Sequence, residues 1–141
     1  MKNIMLIIVL FISLLSNTSY AQQTDTKEHK VVIQLTTGDT LAYRALVKQL
    51  GNMTKIWPNA KIEVIIHNKG IAMMKKESSN VAEEIATLTK KGVRFVVCEF
   101  TMQQLKLEKK DILDDAFYTP YGLIAIVTKQ EEGYSYLKAG F

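Results

Sequence analysis

One cysteine, two histidines, two prolines and one tryptophan are all that this chain of 141 residues has of those types. A single cysteine rules out an internal disulfide, and without a C-x-x-C pair there is no dithiol redox chemistry within one chain. Zinc takes three or four ligands, and Cys98 with one usable histidine, His67, falls short of that. No metal and no cofactor is therefore expected. No apolar run reaches the roughly 20 residues that span a bilayer. There is no internal repeat and no low-complexity stretch. The lysines sit as scattered pairs (Lys75-Lys76, Lys90-Lys91, Lys109-Lys110) without aromatic interleaving, which argues against nucleic acid as a partner. Tyr43, Trp57, Tyr118, Tyr121, Tyr134 and Tyr136 read as core or interface aromatics, not as a base-stacking surface.

What is present begins with a secretory signal. Lys2 precedes an apolar run from Ile4 to Ile12, extended by Leu14 and Leu15, and Ser19-Tyr20-Ala21 supplies the small residues a signal peptidase inspects. Cleavage is expected after Ala21, giving a periplasmic or secreted protein that has no membrane contact once residues 1–21 are gone. The only cysteine lies far downstream, so a lipoprotein signal is excluded. Residues 22–28 are polar and aperiodic and read as a flexible leader. One domain, residues 29–141, follows. About 48% of the chain is hydrophobic and 23% charged, a globular composition able to bury a core without staples.

Within that domain, short β-branched runs alternate with helical patterns. His29 to Leu35, Lys61 to Ile66 and Val93 to Cys98 read as strands, with Ala116 to Tyr118 and Tyr134 to Leu137 as two more. Thr40 to Met53 reads as a helix with Leu41, Ala42, Ala45, Leu46, Leu50 and Met53 on its buried stripe. Asn80 to Lys91 reads as a second helix, Asn80 capping it with Glu83 three residues on, and Gly92 stopping it. Thr101 to Gln104 and Lys109 to Asp114 read as short helical turns. Thr119-Pro120 reads as the N-cap and first residue of a third long helix ending before Gly133. The β-α-β-α-β order is that of a mainly parallel α/β sheet covered on both faces.

Ligands of such sheets bind beyond the carboxyl ends of the strands, where loops and helix starts converge. Three segments qualify: Thr36-Thr37-Gly38-Asp39-Thr40, His67-Asn68-Lys69-Gly70 and Cys98-Glu99-Phe100-Thr101. The candidate binding residues are Thr36, Thr37, Gly38, His67, Asn68, Gly70 and Thr101, with Cys98 as the candidate catalytic group. Backbone N–H groups near Thr101 could hold charge on the Cys98 sulfur, while Glu99 opposes it and burial would make the cysteine a packing residue. His67 falls at the same end of the sheet as Cys98 and His29 at the other; a Cys/His pair and a turn histidine bonded locally are both open readings. The loop at Thr36 to Thr40 matches neither the dinucleotide nor the P-loop fingerprint, although it could hold an anion.

Four stretches, VVIQLTTGD (Val31 to Asp39), IEVIIHNKGIAMM (Ile62 to Met74), KKGVRFVVCEFT (Lys90 to Thr101) and QEEGYSYLKAGF (Gln130 to Phe141), make residues 29–141 resemble the DsrE/DsrF-like (YchN-like) family. The resemblance implies a three-layer α/β/α fold on a mainly parallel five-stranded sheet and a homotrimer or hexamer. In the sulfur-relay members of that family the cysteine at the corresponding strand end carries a persulfide and passes sulfane sulfur to a partner, a role that falls here on Cys98. Export, and Glu99-Phe100 after the cysteine where relay members have a small-residue turn, are departures from the relay pattern. Two functions compete: a sulfur carrier working through Cys98 with an exported donor or acceptor protein, and a non-enzymatic oligomeric module that binds a small ligand or anion beside a structural cysteine. The apolar tail Tyr134, Tyr136, Leu137 and Phe141 is expected to dock in the core or a subunit interface.

Overall fold

In the computed structural model, residues 25 and 27–140 are described. The signal sequence and its cleavage site after Ala21 lie outside them. No helix among the described residues is long and apolar enough to cross a membrane.

The strands are β1 (Lys30–Leu35), β2 (Lys61–Ile66), β3 (Arg94–Cys98), β4 (Ala116–Thr119) and β5 (Ser135–Ala139). All neighbours pair parallel, in the order β4-β3-β2-β1-β5. The runs VVIQL and IEVII are apolar at nearly every position because central parallel strands are covered on both faces. The helices are α1 (Thr40–Ile56), α2 (Ala82–Lys90), α3 (Glu99–Gln104) and α4 (Gly122–Glu131), with 3-10 segments at Asn68–Met74 and Lys109–Asp111. The architecture is a three-layer α/β/α sandwich.

The two outer layers are unequal. On one face, a core cluster of 21 buried residues joins α1, α2 and the 3-10 segment to the sheet, seven of the 21 being Val31, Ile33, Leu35, Val64, Ile66, Phe95 and Val97. Among the described residues the other face is covered by α4, and its core cluster is Val32, Ile65, Val96 and Ile126. That thin layer is held partly by charge. Glu63, on the sheet and almost buried, lies 3.5 Å from the Arg94 guanidinium and 3.2 Å from the Lys129 ammonium on α4. A carboxylate with so little water must be paired to be tolerated.

Three local expectations are corrected. The buried stripe of α1 is Ala42, Tyr43, Leu46, Val47 and Leu50, while Leu41 and Ala45 face solvent. Tyr43 turns the stripe inward because its hydroxyl donates to the carbonyls of Thr37 (3.0 Å) and Lys69 (3.3 Å), joining two loops. The helix starts at Thr40 as expected, and Asp39 caps it, its Oδ1 accepting from the Leu41 N–H at 2.8 Å. Helix α2 starts after Val81, without a side-chain cap, because burying Val81 in the core outweighs capping and leaves Asn80 outside. Thr119 does not cap α4. It pairs with Cys98 in the sheet, and the helix begins after Tyr121.

The stop at Gly92 is as expected. With φ of 90°, it donates to the Thr89 carbonyl while Val93 donates to Leu88, the paired bonds of a Schellman motif. Gly70 is required for a different reason. A Cβ there would lie 2.5 Å from the Leu35 carbonyl oxygen, a backbone atom that cannot swing away. In α1, by contrast, a Cβ on Gly51 would meet nothing within 4 Å. Gly70→Ala is therefore expected to lower the free energy of urea unfolding by about 2 kcal/mol, and Gly51→Ala to raise it by up to about 1 kcal/mol. Equal effects of the two substitutions would contradict this packing.

Candidate functional site

Cys98 is the last residue of β3, and His67 follows β2 beside it in the same parallel register. Side chains alternate across a strand, so Val32 and Gln34, Ile65 and His67, and Val96 and Cys98 all point to the α4 face. The sheet thus carries its polar and nucleophilic residues to one edge of one face. Both are buried there, Cys98 at 3% exposure and His67 at 6%.

Gly122, the first residue of α4, lies against the pair. A Cβ on it would stand 3.3 Å from His67 Cβ and 3.4 Å from Cys98 Cβ. Without a side chain, its backbone N–H donates to Cys98 Sγ at 3.3 Å. The thiol in turn lies 3.8 Å from the Pro120 carbonyl, to which it donates; the same carbonyl accepts from the Phe100 N–H at 3.1 Å. An amide directed at sulfur stabilises negative charge that develops there. The exposed rings of Phe100 and Tyr121, with centroids 5.8 Å apart, flank this point.

His67 is held by side chains. Tyr136 on β5 donates its hydroxyl to Gln34 Oε1, which leaves the Gln34 amide to donate to His67 Nε2 at 2.9 Å. That direction requires an unprotonated Nε2, so the ring is neutral with its proton on Nδ1. Burial pushes the His67 pKa below its usual 6.5, against a smaller opposing pull from the Asn68 side chain. Gln34, Tyr136, Pro120 and Gly122 were not legible as site residues. The one available signal was Gln34, a lone polar residue within an apolar strand.

The remaining candidates do not join Cys98. Asn68 and Thr101 are linked by a 3.2 Å bond from the Asn68 N–H to Thr101 Oγ1, and with Gly38 they line a separate cleft. Asn68 adopts a left-handed conformation, φ 52°. Thr37 is part of the scaffold, its Oγ1 accepting from the Asp39 N–H and its carbonyl from Tyr43. Gly70 is held by its close approach to Leu35. Thr36 is half-buried in the same loop as Thr37. Among the described residues, no three His, Cys, Asp or Glu side chains gather as metal ligands would.

The neutral His67 has a consequence for stability. Because its folded pKa lies below that of the unfolded chain, the unfolded chain takes up a proton first as pH falls. Its contribution is complete above pH 6.5 and is lost as the pH drops from there through the folded value. Urea midpoints at about pH 7.5 and 5.5 should therefore differ more in the wild type than in His67→Asn. An unchanged difference in the variant would show that His67 is not the titrating group.

Comparison with known proteins agrees with this architecture. No curated protein matches the chain. A protein of unknown function from Methanobacterium thermoautotrophicum superposes with a TM-score of 0.74 at 24% identity, covering 79% of this chain and 99% of its own. A conserved protein of unknown function from Bacteroides thetaiotaomicron does so with a TM-score of 0.61 at 17% identity, covering 77% and 93%. At these identities the likeness speaks for the fold. The family model described as DsrE/DsrF-like matches residues 29–139, nearly the whole described chain, and the protein belongs to the DsrE/DsrF-like family.

Proposed function

We propose that this chain is an exported sulfur carrier in which Cys98 holds sulfane sulfur, working as a homo-oligomer, a trimer or hexamer, with an exported donor or acceptor protein. The observation that carries the reading is the Gly122 N–H directed at Cys98 Sγ from the first turn of α4. Membership of a family that is linked to sulfur relay supports it.

The chemistry is exchange without net oxidation. Cys98 as thiolate attacks the outer sulfur of a donor persulfide. An S–S bond forms to Cys98, the donor's own S–S bond breaks, and the donor leaves as a thiol with the proton Cys98 gave up. Delivery repeats the exchange, an acceptor thiolate taking the outer sulfur and releasing Cys98. The Gly122 amide stabilises the charge on Cys98 in both steps. His67, neutral and tied to Gln34, is a wall and hydrogen-bonding partner for the site and not its base.

The oligomer is supported by the outer face of α4. Leu123, Ile124 and Val127 are 62%, 62% and 54% exposed, beside exposed Tyr121 and Phe100. A helix apolar on both sides needs cover on both sides. On β5, the edge strand next to β1, Tyr136 pairs with Val32 on the α4 face and is 39% exposed. A second copy docked there would cover the outer face of α4.

Incubated with glutathione persulfide and then desalted, the wild type should gain about 32 Da, removable by dithiothreitol, whereas Cys98→Ser gains nothing. Loading that survives Cys98→Ser, or a Cys98 that resists iodoacetamide until the protein is unfolded, would refute the carrier role. In sedimentation velocity the wild type should run as an oligomer and Ile124→Asp as a monomer with unchanged far-ultraviolet circular dichroism. A monomeric wild type would refute the assembly.

A further inference from the structure

Away from Cys98, a cleft of about 590 Å³ opens at the carboxyl end of the sheet, on the side of the larger core. Its walls are apolar: Ile71 and Ala72 from the first 3-10 segment, Leu105 and Leu107 from the chain after α3. Leu105 is 51% exposed, apolar surface left open to solvent at the cleft. The bond from the Asn68 N–H to Thr101 Oγ1 ties the 3-10 segment to α3, so the chain's own contacts hold the two walls together.

The charge at the rim is one-sided. Lys69 and Lys75 line the cleft and no carboxylate does. The Lys75 ammonium is paired with Glu77. Among the described residues, Lys69 offers an ammonium with no hydrogen bond or ion pair, while its carbonyl fixes the backbone by accepting from Tyr43. A volume within the roughly 300–1,000 Å³ of small-molecule sites, apolar walls and one uncommitted cation together describe the complement of a molecule with an apolar tail and a single anionic head.

We propose that this cleft binds a single-chain carboxylate of medium length, its tail against Ile71, Ala72, Leu105 and Leu107 and its head on Lys69. Neither Cys98 nor His67 lines the cleft, so this binding site is independent of sulfur transfer. It gives the small-anion expectation a place on the molecule and a chemical class of ligand. A neutral analogue of the same length keeps the apolar contacts and loses the charge-assisted bond, which separates the two contributions.

The protein is titrated with octanoate and with octanamide while backbone amide shifts are followed by NMR. Octanoate binding should saturate, with shifts concentrated at residues 68–72 and 101–107, and octanamide should bind the same place about tenfold more weakly. Lengthening the acid from hexanoate to octanoate to decanoate should tighten binding about fourfold per methylene. Lys69 is exposed, so Lys69→Gln should fold normally, lowering octanoate affinity to that of octanamide while leaving octanamide unaffected. Leu105→Gln, also at an exposed position, should weaken both ligands and flatten the dependence on chain length. Equal affinity for acid and amide, no effect of Lys69→Gln, non-saturating binding, or shifts on the outer face of α4 would each overturn the proposal.

Discussion

Five strands running in one direction place every carboxyl end along a single edge of the sheet, and all the candidate chemistry of the chain follows from that constraint. Parallel pairing needs a crossover between successive strands, and each crossover leaves from that edge. The loop after β1, the 3-10 segment after β2, α3 after β3 and the turn into α4 after β4 therefore converge there. The two-residue alternation within strands then sorts what arrives. Gln34, His67 and Cys98 fall on the α4 face, whereas Asn68 and Thr101, just past the strand ends, contribute to the cleft on the other side.

The unequal layers put the Cys98–His67 pair on one face and most of the core on the other. The α1/α2 face carries most of the buried apolar surface and with it most of the hydrophobic stabilisation. The α4 face has little apolar surface to hold it, and its helix is fixed by Ile126, by the Glu63–Lys129 pair and by the close approach of Gly122 to the strand ends. The first turn of α4 thus both covers Cys98 and supplies its amide donor. A movement of that turn would uncover the sulfur at little cost to the main core.

Much of this was legible from composition and period. The strands β1 to β3 and the stop at Gly92 are written in apolar runs and a single glycine, signals that depend on local sequence. That Cys98 and His67 lie at one end of the sheet followed from strand order, since the topology of a parallel sheet decides which residues share an edge. The misses share one cause, which is that tertiary contacts overrode local preference. Val81 outweighed a well-formed cap at Asn80, and Thr119 was taken into the sheet by its pairing with Cys98. Tyr43 was drawn inward by carbonyls from two loops. The Tyr136–Gln34–His67 chain joins residues 102 and 33 positions apart, and no periodicity reports such a meeting.

The central claim is that Cys98 carries sulfur in the organism and is not a packing residue. Its most direct test is intact-mass spectrometry of the protein purified from its native exported fraction without reductant, with the adduct located by peptide mapping. The account predicts a population on which Cys98 bears about 32 Da that dithiothreitol removes. An unmodified Cys98 throughout, inert to alkylation until the chain is unfolded, would contradict it and make the sulfur part of the core beneath α4.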